Sequence, residues 1–372
     1  MIGMRMWDRI VGHEIEKRFL QNLLTGERKT PSLLFYGPEG IGKKKLALEF
    51  AKSFLCLEDP LTDTSCKSCR AFGAGSHPDL LLVEPGGNTS TISIGQIRQL
   101  SQQALYAPVL SPYKVCIIEQ ADHMQETAQN ALLKLLEEPP DYWLFILVAD
   151  RVEALLPTIL SRVVQIQFYP LTLEQTRQAM EQALLTQWEV PESLEGAEPG
   201  AVQAQWLKEG PVLSALAGGS PGKAVDLFRL EALTLRQQVL DLLEKVDEDQ
   251  LMVYLKGLDW LDKAATAPKK KNSGDGEKEP AFDRREPDFL RLELLLLLLR
   301  DGLLLQAGVA APLYNEDIRK EAALCFAGWK PSQLRRTLDL VQESRLAIAR
   351  FVPRRLVFEA LLLEIQALRK EM

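Results

Sequence analysis

The octapeptide Gly37-Pro38-Glu39-Gly40-Ile41-Gly42-Lys43-Lys44 follows a short apolar run and precedes a stretch of helical periodicity. That is the setting of a phosphate-binding loop, whose pattern is G-x-x-x-x-G-K-[ST]. Gly37, Gly40 and Gly42 let the backbone wrap phosphates, and the following helix start turns its N–H groups toward an anion. Lys43 stands where the phosphate-reaching lysine belongs. The last position should carry a hydroxyl that holds Mg²⁺, and here it is Lys44. An ammonium cannot ligate a metal ion and repels it. The expectation is a loop that keeps its shape without productive Mg-ATP binding.

The second half of a P-loop ATPase site points the same way. Lys114–Ile118 reads as a buried strand, and Glu119-Gln120 follows it. Active enzymes place an Asp there for the metal and a Glu that primes the attacking water. Glu119 can still approach a metal, but Gln120 is a neutral amide and a far poorer base. Two independent defects predict that this chain does not hydrolyse ATP itself.

The elements that must hold these residues can be read from periodicity. Apolar runs at Ser32–Tyr36, Leu80–Val83, Val115–Ile118, Leu144–Val148 and Val163–Phe168 predict strands. Helical spacing over 12–25, 43–55, 94–105 and 128–136 alternates with them, which indicates a parallel sheet covered on both faces. From Pro170 the chain reads as short helices, interrupted by the Val190–Gly200 loop and by the turn Gly218–Gly222. Beyond about Phe228 it is helical and leucine-rich, apart from a polar, charged segment at 268–280 that reads as a flexible surface loop.

With 372 residues, 46% hydrophobic and 26% charged, the chain has the composition of a folded protein of two or three domains. Its net charge of −7 argues against a protein that coats nucleic acid alone, since such binding rests on basic residues displacing counterions. The N-terminus lacks an unbroken apolar signal region, and Leu294–Leu299 is far short of a membrane span. A cytoplasmic protein is expected.

GPEGIGKKKLALEFAKSFLC, SHPDLLLVEP, KVCIIEQADHM, NALLKLLEEPP and LPTILSRV together resemble the bacterial DNA polymerase III clamp-loader subunits of the δ′ type and their τ/γ relatives. The motifs lie between Ile10 and about Phe228, and Asn130–Pro140 followed by Ser161-Arg162 is the most specific of them. The resemblance implies an α/β AAA+ P-loop domain with a parallel sheet (1–170), a small helical lid (171–228) and a C-terminal helical collar (229–372). It implies partners of the τ/γ and δ types, with the sliding clamp and primed DNA reached through the assembly. Ser161-Arg162-Val163 would be the family's SRC motif with valine for cysteine, and Arg162 an arginine finger acting in trans on a neighbour's ATP. Lys223, in GGSPGKA, takes the sensor-2 position, where many relatives carry arginine. The competing reading is an active τ/γ-type ATPase, against which Lys44 and Gln120 speak.

Five cysteines, an odd number, do not make a disulfide framework. Cys56, Cys66 and Cys69 follow the P-loop helix, where the resemblance implies a four-cysteine zinc module. A structural zinc site needs four ligands; the fourth cysteine position is Phe72, and His77 is the nearby substitute. Two readings stand: a zinc site with an unidentified fourth ligand, or three reduced thiols. Cys116 and Cys325 read as core residues.

Overall fold

In a computed structural model, the described residues are 7, 9–26, 32–62, 64–86, 91–184, 199–246 and 286–370. The 268–280 loop and most of Val190–Gly200 lie outside them. Two compact units are present: residues 1–188 with 217–225, and residues 189–216 with 226–372.

The first unit is built on five parallel strands, β1 (Leu33–Tyr36), β2 (Leu80–Val83), β3 (Lys114–Ile118), β4 (Trp143–Ala149) and β5 (Val164–Gln167), in the order β2-β3-β4-β1-β5. All five coincide with the predicted apolar runs. Its helices are α1 (Glu14–Thr25), α2 (Lys43–Leu55), α3 (Lys67–Gly73), α4 (Ile94–Gln103), α5 (Glu126–Glu137), α6 (Pro157–Leu160) and α7 (Leu173–Leu184).

Side chains of the central strands alternate between two cores. Leu33, Phe35, Ile117, Ile146 and Val148 join Leu46, Phe50 and Phe54 of α2 on one face. Leu34, Cys116, Ile118, Phe145 and Leu147 join Ile97 of α4 and Leu132 of α5 on the other. This period of two, with both faces apolar, is why the strands read as continuous hydrophobic runs. Parallel strands all end on the same side, so the loops after β1, β3 and β4 meet in one crevice.

The second unit holds α8 (Pro199–Leu216), the last four residues of α9 (Pro221–Arg229), α10 (Ala232–Lys245), α11 (Glu286–Ala307), α12 (Arg319–Cys325), α13 (Pro331–Ala349) and α14 (Arg354–Lys370). Leu292, Leu298, Leu299, Leu334, Val341 and Ile365 are among its fully enclosed core side chains. Leu294–Leu299 thus lies in a packed helix. Among the described residues no helix is long and apolar enough to cross a membrane.

Candidate functional site: a phosphate loop filled by its own chain

The crevice at the carboxyl ends of β1, β3 and β4 encloses about 450 Å³ and is lined by Gly40, Gly42, Lys43, Lys44, Glu119 and Asp150, among others. Gly42 caps α2 at its N-terminus, as a phosphate-binding loop requires. Lys43, only 4% exposed, points back into its own loop. Its ammonium donates to the carbonyls of Gly37 (2.7 Å) and Pro38 (2.6 Å) and pairs with Asp150 Oδ1 (2.7 Å). An ammonium has three donors, and all three are used.

Asp150 follows the last residue of β4, and its position is itself pinned. Asp122 is buried, and its carboxylate accepts the N–H groups of Asp150 (3.3 Å) and Arg151 (3.4 Å).

Lys44 lies between two carboxylates. Its Nζ is 2.9 Å from Glu84 Oε1, just beyond β2, and forms a closer ion pair with Glu119. Burial alone lowers the Lys44 pKa, but its hydrogen bonds to Glu119 and Glu84 outweigh that and hold it above the usual lysine value. Burial holds Glu119 above the carboxylate range, with Glu84 adding to the effect. Hydrogen bonds from Glu119 and then Lys44 hold Glu84 below that range. Gln120 adopts a left-handed backbone (φ 48°) at the turn after β3. A magnesium-bound nucleotide does not fit this arrangement: the lysine meant for phosphate is consumed, and an ammonium sits beside the carboxylate meant for the metal.

The loop is also closed from the side of the turn Gly218–Gly222. Ser220 Oγ donates to Glu39 O (2.8 Å), and the Gly222 N–H donates to Gly40 O (2.8 Å). A Cβ on Gly222 would come within 2.8 Å of Gly40 Cα, and one on Gly40 within 2.5 Å of Ser220 Oγ. Two glycines are what allow the backbones to touch. Lys223 is half-buried on the first turn of α9, with its N–H on Ser220 Oγ. A third clasp, which sequence reasoning missed, is His13: its ring nitrogen Nε2 lies 2.8 Å from Ile41 O, and the ring packs on Phe168. Burial lowers the His13 pKa below the ordinary histidine value.

Arg162 lies at the other end of the sheet. It follows Ser161 at the end of α6 and precedes β5, whose first residue Val164 pairs with Leu33 at the start of β1. The phosphate loop, by contrast, leaves the far end of β1 after Tyr36. The Arg162 guanidinium donates to Thr158 O (2.9 Å) and Ser161 Oγ (3.2 Å), and its Nη2 meets Glu137 Oε1 at 2.7 Å. The side chain keeps about a third of its surface exposed.

The residues between 12 and 172 match the family model described as DNA polymerase III, delta subunit. DNA polymerase III subunit δ′ of Bacillus subtilis is 29% identical over 334 residues, which span 89% of this chain and 87% of that protein. The δ′ subunit of Pseudomonas aeruginosa is 36% identical over 220 residues, 59% of this chain and 62% of that one. The chain is similar to DNA polymerase III δ′ subunits over most of its length. Subunit τ of Bacillus subtilis is 33% identical over 165 residues, 44% of this chain and 29% of τ. The residues matched by the family model lie in the first unit, and the match to τ spans a smaller part of the chain than the Bacillus subtilis δ′ match does.

The three clustered thiols of this chain come together in space. The sulfurs of Cys56, Cys66 and Cys69 lie within 4.8 Å of one another, and no histidine or carboxylate among the described residues joins them. Burial pushes the Cys66 thiol up, but hydrogen bonds from the Cys69 and Leu57 backbones outweigh it and bring it down to about 7; burial pushes Cys69 up to about 12. His77, the candidate substitute ligand, is engaged elsewhere. Its Nδ1 accepts the Asp79 N–H (3.1 Å), so its Nε2 carries the proton and donates to Ser68 Oγ (2.9 Å). Asp79, fully buried, accepts the N–H groups of Val109, Leu110 and Ser111 at 2.7–2.8 Å. Cys116 is enclosed in β3, and Cys325 is half-buried against the second core.

Proposed function

We propose that the chain is a clamp-loader stator. It assembles with τ/γ- and δ-type subunits in the cytoplasm, helps place a sliding clamp on primed DNA, and donates Arg162 to the ATP of a neighbouring subunit. It does not hydrolyse ATP itself. The observation that carries this reading is the separation of Arg162 from the chain's own phosphate loop by the full length of β1. That placement suits a role at a site on another molecule. Its exposure, with a third of the side chain open, suits an acceptor arriving from outside.

The internal ion pairs of Lys43 and Lys44 support the second half of the reading. A motor subunit would need both lysines released, and it would still face Gln120 in place of the priming carboxylate. In the same reading the chain divides into a P-loop domain (1–170), a lid (171–228) carrying Lys223, and a collar (229–372) that supplies contacts between subunits.

Reconstitution with the τ/γ and δ partners tests the proposal. In Arg162→Ala, the assembly is expected to lose the share of ATP turnover supplied by the one interface that Arg162 faces, by a factor of ~10³ or more at that site. Clamp loading falls with it. Wild-type turnover in the Arg162→Ala assembly would sink the finger assignment.

A further inference from the structure

The last helix of the second unit, α14, is apolar on two sides. Val357, Phe358, Leu361, Leu362 and Ile365 face the core. At about 100° per residue, Leu356, Ala360, Leu363 and Ala367 fall on the opposite side of the helix, within about 60° of one another. All four are exposed, Leu356 by 58% and Leu363 by 42%. An outward face is ordinarily charged, as that of α13 is with Arg335, Arg336, Asp339, Gln342 and Glu343. Phe351 and Val352, in the turn that leads into α14, extend the strip and are exposed by 78% and 41%. Phe351 also takes a left-handed backbone (φ 63°) just past the end of α13, where glycine is the usual residue, and its ring is not buried in return.

The stripe advances by four residues, then three, then four, the heptad spacing at which two helices pack along a shared seam. A second copy of the same helix fits it in one orientation. Laid antiparallel about a two-fold axis between Ala360 and Leu363, Leu356 of each copy meets Ala367 of the other, and Leu363 meets Ala360. Every layer then sets one large side chain against one small, which fills the seam evenly. The flanks agree with this orientation. Glu359, already paired with Arg355, comes beside Gln366 of the second copy, and Glu364 comes beside Val357. A parallel pair would stack alanine on alanine, leaving gaps, and would set Glu359 against Glu364.

We infer that the free chain pairs with a second copy of itself through the outward face of α14, in an antiparallel two-fold seam centred between Ala360 and Leu363. A three-turn seam of this kind buries roughly 1,000 Å² in total, the lower limit for a specific interface, so association in the micromolar range is expected. The inference does not depend on the stator reading.

Analytical ultracentrifugation of the full-length chain, from low micromolar to hundreds of micromolar, is the test, and a monomer–dimer equilibrium is the expected result. Leu363→Glu should weaken the pair by about 100-fold, since it buries an unpaired carboxylate in the seam. Ala360→Leu, which sets leucine against leucine, should weaken it by about tenfold. Both positions face outward, so the circular dichroism and unfolding midpoint of the variants should stay those of wild type. Leu356→p-benzoylphenylalanine should photo-link to the second copy near Ala367. A wild-type chain that is monomeric over the whole range overturns the inference, and the seam then belongs to a helix of another protein. So does a dimer that Leu363→Glu leaves intact. A photo-link from position 356 to the turn around Leu356 of the second copy means parallel pairing and overturns the two-fold seam.

Discussion

Single side chains decide what the phosphate loop does. Lys43 and Lys44 are the residue type that binds phosphate, yet each is neutralised within the fold, by Asp150 and by Glu84 with Glu119. Removing one partner of a buried ion pair leaves an uncompensated charge, which costs about 3–5 kcal/mol when both ions are fully buried. Lys43 is enclosed but Asp150 is partly exposed, so the cost here falls below that range. Histidines carry a second residue-scale consequence. Burial lowers the pKa of both His13 and His77, two of the three in the chain. In the unfolded chain each takes a proton near pH 6.5, whereas in the fold each stays neutral to lower pH. The unfolded state therefore binds more protons in this window, so stability is intact above about pH 6.5 and is lost as pH falls through the depressed values. NMR titration should place both imidazole midpoints below 6.5, with the thermal midpoint falling on acidification from pH 7.5 to 5.5. A His77 midpoint above 6.5 would contradict the burial account, in which Asp79 is the weaker, opposing influence.

At the scale of elements, the loop Gly37–Lys43 and the turn Gly218–Gly222 act as one joint. Gly222→Ala sets a Cβ against the backbone of Gly40, which cannot swing aside as a side chain would. The expected cost is about 1–3 kcal/mol, read as an earlier first transition in denaturant unfolding. An unchanged midpoint would mean that the joint is looser than the hydrogen bonds of Ser220 and Gly222 indicate. The strands were legible in the sequence because each is a short apolar run bounded by polar or turn residues, and α2 because its periodicity starts at Lys43. The glycine-rich loop was legible for the same reason: its spacing is local. What closes the loop was not. Asp150 after WLFILVA looks like any polar strand end, and only the placement of β4 between β3 and β1 brings it to Lys43. His13 adopts a left-handed backbone although it is not itself a glycine. Glu137 is an ordinary surface type whose partner, Arg162, comes from another segment. The fourth-ligand question stayed open at the sequence level, with His77 the only named substitute, and His77 is hydrogen-bonded to Ser68 and Asp79 instead.

Across the whole molecule, the proposed stator keeps the arginine offered to a neighbour and gives up the chain's own phosphate loop. The phosphate loop at one end of the sheet is filled by its own lysines, and an accessible arginine stands at the other end, held by Glu137. A net charge of −7 fits a subunit that reaches DNA through an assembly and not through a basic surface of its own. The measurement that tests this division most directly is Mg-ATP binding and turnover by the isolated full-length chain, followed by calorimetry and phosphate release on one preparation. The account predicts no saturable binding up to millimolar nucleotide and no turnover. Micromolar, magnesium-dependent binding accompanied by steady hydrolysis would contradict it and make this chain a motor in spite of Lys44 and Gln120.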